Sequence, residues 1–176
     1  MPGKGDLRKL AVIMSFPALL SAPGCGYYFV GRGIAPWKGV ASVCVRTFTN
    51  DTPESGIENY FTQAIIAEFA RGKMLELDCS SPDSFLDGKI TSYKVVPYYY
   101  AKEDLVTGYQ VAVEVDLVLS RRSDGESLWT LKKVSGADSA GASTEILTTK
   151  SFENAAVSRM AKRMMESVYN LLSQNF

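Results

Sequence analysis

The chain has 176 residues, 46% of them hydrophobic, and its 19 lysines and arginines balance its 19 acidic residues. This composition is typical of a folded protein and lacks the basic charge of a nucleic-acid-binding domain. There is no histidine, which removes the commonest general base, the commonest zinc ligand and the Ser-His and Cys-His pairs of hydrolases. We therefore expect no catalytic residues, no metal site and no cofactor.

The start of the chain has the layout of a secretory signal. Lys4, Arg8 and Lys9 precede an uncharged, mostly apolar run, Leu10–Leu20, and small residues then lead to Cys25. This run of about 11 residues is much shorter than the 20 or so that a transmembrane helix needs. We interpret it as a cleaved leader and not as a membrane anchor.

Small residues followed by a cysteine resemble the cleavage site of a bacterial lipoprotein, at which the thiol of Cys25 would be acylated. The site is atypical, because Ala22 and Pro23 stand where an aliphatic and a small residue are usual, and only Gly24 fits. The alternative is an ordinary secreted protein in which the cysteine occurs by chance. We favour the lipoprotein. Its predicted segments are a signal peptide, a lipidated tether and a single α+β domain, at residues 1–24, 25–39 and 40–176.

The first elements of the domain are predicted to be a strand and a helix. Val40–Phe48 is β-branched and apolar, and turn-forming residues follow it. Ser55 and Glu58 fit a capping box at the start of a helix, and Arg71 and Gly72 fit its end. The apolar face of this helix repeats at spacings of three and four residues: Ile57, Phe61, Ala64, Ile65 and Phe69.

Three strands are predicted next. A short one covers Met74–Asp78, and a longer one covers Ser84–Val96 and ends at Pro97, after which Tyr98–Asp104 forms a loop. In the third, Gly108–Arg121, valine and leucine alternate with mostly polar residues, which is typical of a strand with one face in the core.

A hairpin and a helix complete the chain. The Asp-Gly pair at 124–125 predicts a tight turn, and the returning strand covers Ser127–Gly136. Residues 135–149 are small and polar, and we expect a mobile connection there. Ser151 can cap a long helix that reaches about Ser173. Its predicted inner stripe is Val157, Met160, Ala161, Met164, Val168, Leu171 and Leu172.

This order of elements predicts an α+β fold with two layers. Both helices and the clearest strand are apolar on one side only, so both helices should cover one face of a mixed sheet of four to five strands. The other face then has no helical cover, and we expect it to be polar or to meet a partner.

Cys44 and Cys79 could form a disulfide in an oxidising compartment, which would contribute about 3–4 kcal/mol by chain entropy. Strand parity argues against the bond. Cys44 lies on the opposite strand face from Val43 and Val45, whereas Cys79 would share a face with Leu77. In one sheet the two sulfurs would then lie on opposite sides, so we favour unpaired thiols.

Several runs of the sequence are distinctive together. They are "CGYYF" at the proposed lipidation site, the stretch from Phe48 through Asn50 and Thr52 to Gly56-Ile57-Glu58, and then "LDGKITSY" and "DGESLW". In this order they resemble the lipopolysaccharide-assembly lipoprotein family, called LptE. The resemblance covers nearly all of the chain from Cys25 onward, and none of these runs is a catalytic motif.

The resemblance implies a non-enzymatic outer-membrane lipoprotein, held by acyl chains on Cys25. Members of the family lodge inside a large β-barrel partner, LptD, support it as a plug, and contact lipopolysaccharide during its delivery. Gly26 after the cysteine is similar to lipoproteins directed to the outer membrane. Two or three acyl chains anchor stably where one does not, and barrel lumens of this kind are polar, so the role is physically reasonable.

Basic residues at the predicted hairpin are the candidates for contact with the lipid A phosphates. Arg121 and Arg122 lie beside the turn, and Lys132 and Lys133 lie further along the returning strand. Arginine can bind phosphate with two parallel hydrogen bonds. The alternative for each pair is a solvated surface charge.

Other interpretations remain open. The same scaffold could serve a periplasmic module that binds another envelope protein or peptidoglycan, because a fold does not fix a function. Glu114 and Asp116, about 7 Å apart on one strand face, could form the carboxylate pair of an enzyme or simply face water. Asn50 and Asp51 could form a polar site, or they could shape the loop that positions the first helix.

Overall fold

The computed structural model describes residues 39–100 and 106–174, so Cys25, the leader and nearly all of the tether lie outside the described residues. The elements are β1 (Ser42–Val45), β2 (Thr49–Asn50), α1 (Ile57–Gly72), β3 (Glu76–Leu77), β4 (Ser84–Tyr100), β5 (Val106–Arg121), β6 (Ser127–Gly141) and α2 (Ile146–Ser173).

The strands form one mixed sheet in the order β3-β1-β4-β5-β6, and β2 also pairs with β4. β1 runs parallel to β3 and β4, β2 runs parallel to β4, and β4, β5 and β6 are antiparallel. The predicted strand Val40–Phe48 is split into β1 and β2. The chain leaves the sheet between them, where the N–H of Phe48 donates to Oγ1 of Thr62 in α1, 3.0 Å away. The two-layer α+β prediction is confirmed.

Both helices contribute to one core on a single face of the sheet. The alternating apolar residues of β5 are buried, as are all five predicted positions of α1 and six of the seven predicted for α2. The exception is Leu171, which is exposed. The helices run in the same direction, since Lys150 near the start of α2 pairs with Glu54 before α1, and Tyr169 near its end lies against Gly72.

The start of α1 differs from the predicted capping box. Gly56, and not Ser55, is the N-cap residue, with a left-handed φ of 89° that favours glycine. The carboxylate of Glu58 accepts hydrogen bonds from the Gly56 N–H at 3.0 and 3.1 Å. One half of the capping box is therefore present, one position later than expected, and no side chain caps the helix from Ser55.

β4 continues past Pro97, where the sequence predicted its end. Pro97 lies opposite Tyr109, and the pairing with β5 reaches Tyr100, so Tyr98–Tyr100 is strand and not loop. The last pair between β2 and β4 is Asn50 with Ile90, so in the described residues no strand flanks the far half of β4 on that side. Proline is tolerated on such an edge.

β6 is also longer than predicted, because the small residues after Ser135 pair with β5 up to Gly141 opposite Gly108. The carboxylate of Asp138 fixes this part to α2 through ion pairs with Arg159 at 3.1 Å and Arg163 at 3.2 Å. The prediction of a mobile connection at residues 135–149 was wrong for the residues up to Gly141, which belong to β6. α2 begins at Ile146, before the predicted cap at Ser151.

Cys44 and Cys79 form a disulfide, with their Cα atoms 4.7 Å apart, so the parity argument was wrong. β3 ends at Leu77. The carboxylate of Asp78 then accepts hydrogen bonds from the N–H and hydroxyl of Ser80 and turns the chain. Cys79 lies in this turn, where the alternation of a strand no longer decides which way a side chain points.

Candidate functional site

The face of the sheet opposite the helices, here called the open face, is the largest surface that neither helix covers. Four of its charged side chains form ion pairs, whereas Lys94, Glu114, Lys132 and Lys133 have no ion-pair partner in the described residues. Arg46 lies 3.2 Å from Asp87, and Lys89 lies 2.6 Å from Asp51. This face is therefore polar with its charges largely balanced, as predicted for a sheet face without a helical cover.

The far half of the open face is built from small and uncharged side chains as well as charged ones. Successive cross-strand rows place Glu114 opposite Ser92 and Ser135, and place Ala112 opposite Lys94 and Ala137. Short side chains leave this half of the face flat. A partner surface could approach the backbone there closely.

Lys132 and Lys133 lie on a bulge of β6 at the edge of the sheet. The register passes from Leu117 opposite Leu131 to Val115 opposite Val134, so both lysines face the single residue Asp116. Lys133 has a left-handed φ of 57°, and its N–H donates to Oδ1 of Asp116 at 2.7 Å. In residues 39–100 and 106–174 neither lysine ammonium group has an ion-pair partner.

Arg121 is compensated by two carboxylates of its own turn. It forms ion pairs with Asp124 at 3.1 Å and with Glu126. The hydrogen bond to Asp124 raises the pKa of Arg121. The pKa of Asp124 is lowered, first by the hydrogen bond from the Glu126 N–H and then by Arg121. The guanidinium charge is thus largely neutralised before any ligand arrives.

Arg122 closes a shallow cleft of about 300 Å³ at the same end of the sheet, lined also by Gly39 and Ser123. Its guanidinium donates to the hydroxyl of Ser81 at 3.2 Å and to the carbonyl of Pro82 at 3.4 Å. Arg122 therefore ties the β5–β6 turn to the start of β4.

The structure does not bring the two predicted basic pairs together. Arg121 bonds with the backbone of Glu126, just before β6, and Lys132 lies five residues beyond Ser127 along that strand. At about 3.3 Å per residue this places them about 17 Å apart. One phosphate group cannot contact both pairs.

The remaining candidate residues have structural partners. The side-chain amide of Asn50 donates to the carbonyl of Glu54 at 2.6 Å and to Glu58 at 3.0 Å, so it shapes the loop before α1. Glu114 faces outward, and Asp116 accepts the Lys133 N–H. Within the described ranges no group of three acidic or cysteine side chains could hold a metal ion.

One exposed apolar surface was not predicted as a site. At the end of the sheet away from the β5–β6 turn, β4 and α2 together expose six large side chains, here called the aromatic end: Tyr98, Tyr99, Tyr100, Ile146, Leu147 and Phe152. The signal in the sequence was three consecutive tyrosines. The contribution of α2 could not be foreseen while its start was placed at Ser151.

Comparison with known proteins gives the family. The family model LptE, described as lipopolysaccharide-assembly, matches residues 40–172, which is nearly the whole described part of the chain. The chain belongs to the LptE family. This family is an accessory lipoprotein family of lipopolysaccharide assembly without a catalytic role, so the chain is an envelope lipoprotein of that type. A comparison with curated proteins gave no match.

Several solved structures are similar to this chain at low sequence identity. A protein from Caulobacter crescentus CB15 described as a candidate lipoprotein is 11% identical, with a TM-score of 0.58 over 82% of this chain and 96% of its own. Lipoprotein B from Nitrosomonas europaea is 9% identical, with a TM-score of 0.48 over 78% and 88%. A lipoprotein from Neisseria meningitidis is 13% identical, with a TM-score of 0.44 over 68% and 96%. The first shows a shared fold.

Neither of the two described LptE helices has the length and apolar character that a membrane crossing requires.

Proposed function

We propose that this LptE chain is an outer-membrane lipoprotein, anchored through acyl chains on Cys25, that plugs and supports an LptD-like β-barrel in lipopolysaccharide transport. The observation that carries the proposal is the open face of the sheet. It runs the length of β4 and β5 on the side away from both helices, and it is polar, with two ion pairs among its exposed charges.

A barrel lumen of this kind is lined by polar side chains. A plug therefore needs a polar surface whose charges are already satisfied, because an unpaired charge that loses water on docking costs several kcal/mol. The pairs Arg46–Asp87 and Lys89–Asp51 meet that need. The short side chains of Ser135 and Ala137 allow a close approach to the barrel wall.

For the contact with lipopolysaccharide, the lysine pair is the better candidate of the two basic pairs. Arg121 already holds two carboxylates and Arg122 is bound to Ser81 and Pro82. Lys132 and Lys133 project from a bulge with ammonium groups that form no ion pair in the described part of the chain. A phosphate there would gain charge-assisted hydrogen bonds without displacing existing partners.

Affinity purification from detergent-solubilised outer membranes tests the proposal. The tagged wild-type chain should bring down a large β-barrel protein in near-equal amount. A matched variant, Ala137→Arg, adds a long charged side chain to the flat part of the open face and should reduce the recovery. The variant Lys162→Ala, on the helix layer, should leave it unchanged. Recovery of the chain alone, in wild type, would overturn the barrel role.

The mass of the mature N-terminus tests the anchor separately. Residues 1–24 should be absent, and Cys25 should carry two or three acyl chains. A full-length chain, or a free thiol at this position, contradicts the anchor whatever the barrel experiment shows.

Depletion of the chain distinguishes this role from that of a general envelope-binding module. Loss of surface lipopolysaccharide is expected on depletion. Defects in wall integrity with normal surface lipopolysaccharide would instead indicate a peptidoglycan or envelope partner.

A further inference from the structure

The aromatic end combines two groups of exposed side chains, the tyrosines at the end of β4 and the apolar residues at the start of α2. Gly108 of β5 lies opposite Gly141 of β6, and a Cβ atom at Gly141 would contact the ring of Phe152 at 3.4 Å. Ile146 lines a depression together with Tyr109. The rings of Tyr98 and Tyr99 contact each other edge to face with centroids 4.9 Å apart. The tyrosines of β4 and the first residues of α2 therefore lie at the same end of the sheet.

The exposure of this surface is unusual for a soluble body. The three tyrosine side chains are 48–60% exposed, and Ile146 and Leu147 are 86% and 85% exposed. Large exposed apolar side chains that gather at one end of a protein mark interaction sites. Tyrosine combines an apolar ring with a polar hydroxyl, and it is enriched where proteins meet the interface between a membrane and water.

The position of the surface matters, because it lies at the opposite end of the sheet from the start of the described domain. Gly39 lies in the cleft with Arg121 and Arg122, beside the β5–β6 turn. The aromatic end lies near Val106, at the other end of the 16-residue strand β5. At about 3.3 Å per residue the two ends are about 50 Å apart.

The bilayer is the surface that the aromatic end can reach most readily. Thirteen residues lie between Cys25 and Gly39, and this stretch of chain spans at most about 50 Å when fully extended. A body held on such a tether experiences the membrane at a high effective concentration, so a weak second contact is enough to keep it there. The long axis of the body would then lie along the membrane surface.

We propose that the aromatic end is a second membrane contact, which inserts its tyrosine and aliphatic side chains into the lipid interface and holds the free lipoprotein at two points. This inference rests on the lipid anchor of the proposed function, but not on the barrel partner.

Quenching by lipid tests the contact in the intact acylated protein. Because Cys44 and Cys79 are paired, a single introduced cysteine can be labelled with a fluorophore. The label is placed at Leu147→Cys in the aromatic end, or at Ile66→Cys as a matched exposed apolar position on α1. Each protein is reconstituted into vesicles of phosphatidylethanolamine and phosphatidylglycerol that contain spin-labelled lipid.

We expect strong quenching at position 147 and little at position 66. Replacing Tyr98, Tyr99, Tyr100 and Ile146 by serine should reduce the fraction of quenched label at position 147 about tenfold or more, since these four side chains would supply most of the apolar area that enters the lipid interface. These side chains are exposed, so the variant should keep the unfolding temperature of the wild type.

Equal quenching at both positions, no quenching at position 147, or quenching that survives the serine substitutions would each overturn the proposal. A protein-binding role for this end would give the second result. The acylation of each sample is measured by mass, so failure of the anchor is distinguished from failure of the contact.

Discussion

Whether a basic side chain is available to a ligand depends on its existing partners more than on its type. Arg121 is held by Asp124 and Glu126, whereas Lys132 and Lys133 form no ion pair in the described residues, and the carboxylate of Asp116 opposite them accepts a backbone N–H. Clusters of basic residues in a sequence therefore overstate the number of free cations. The turn that creates Arg121's position also supplies its counter-ions.

This difference predicts the effect of charge removal on lipopolysaccharide binding. The double substitution Lys132→Ala and Lys133→Ala should weaken binding by the purified lipoprotein at least about tenfold, because two charge-assisted hydrogen bonds are lost. Arg121→Ala should change it by less than about threefold, since this guanidinium is already compensated. Displacement of a fluorescent lipopolysaccharide measures both. The reverse ranking would contradict the assignment of the lysine pair.

Gly72 shows a second constraint at the scale of one residue. A Cβ atom at this position would overlap the side chain of Tyr169, whose hydroxyl accepts a hydrogen bond from the Met74 N–H. On an exposed helix Gly→Ala usually stabilises. Here Gly72→Ala should destabilise by about 1–3 kcal/mol, as overpacking does.

Urea unfolding in a double-mutant cycle checks this prediction. In a Tyr169→Ala background the cost of Gly72→Ala should disappear, because the overlapping ring is gone. A cost that remains unchanged in that background would show that the ring is not its cause.

Among the elements, β1 and β3 depend most on cross-links, because they are short. The disulfide joins the β1 residue Cys44 to the turn after β3, across a separation of 35 residues. Replacing both cysteines by serine should lower the free energy of unfolding by about 3–4 kcal/mol. Urea unfolding measures the loss, and reductant should lower the midpoint of the wild type but not that of the variant. An unchanged urea midpoint in the wild type after reductant, with both thiols shown to be reduced, would contradict this prediction.

Asp83 is the second link between β1 and β4. Its carboxylate accepts hydrogen bonds from the Ala41 N–H at 2.9 Å and from the Ser42 hydroxyl at 3.0 Å. The bond from Ala41 is the larger cause and the bond from Ser42 the next, and together they hold the pKa of Asp83 below its ordinary value of 3.8. A lowered pKa in the folded state stabilises the fold above the ordinary value, and the contribution is lost as pH falls through the folded pKa.

Asp83→Asn should therefore lower stability at neutral pH and should flatten the acid limb of the stability profile below about pH 4. Thermal unfolding between neutral pH and pH 3 measures both. Asp87→Asn, at a carboxylate paired with Arg46 on the exposed surface, is the control and should have little effect. An unchanged acid limb in Asp83→Asn would exclude this role for its carboxylate.

The elements also show how far local sequence signals reach. The periodicity of α1 and the alternation of β5 gave the correct buried faces, because each pattern is fixed by the geometry of a single element. The ends of β4 and β6 were misplaced, since Pro97 and the small residues after Ser135 signal a loop locally but are held by pairing with β5. The direction of the Cys79 side chain was predicted wrongly for a similar reason, because it depends on where β3 ends.

The candidate site, like the fold, could be predicted from the sequence only in part. The uncovered sheet face was predictable, because two one-sided helices can bury only one side of a sheet. The ion pairing of Arg121, the bulge at Lys132–Lys133 and the union of Tyr98–Tyr100 with Ile146 and Leu147 were not. Each depends on which residues the tertiary structure brings together.

At the scale of the whole molecule, the proposed docking depends on how the two faces of the sheet differ. The helix layer completes the core, whereas the open face is polar, with two ion pairs near β1 and β2 and several short side chains in its far half. A plug that docks by this face should contact its barrel through the rows around Ala112 and Ala137.

Site-specific photo-cross-linking in intact cells tests this docking most directly. A photoreactive amino acid is placed at Ala137 on the open face or at Lys162 on the helix layer, each in the acylated, full-length lipoprotein. If the open face docks in the barrel, position 137 should form an adduct with a large outer-membrane β-barrel, in higher yield than position 162. No barrel adduct from position 137, or an adduct from position 162 alone, would contradict it.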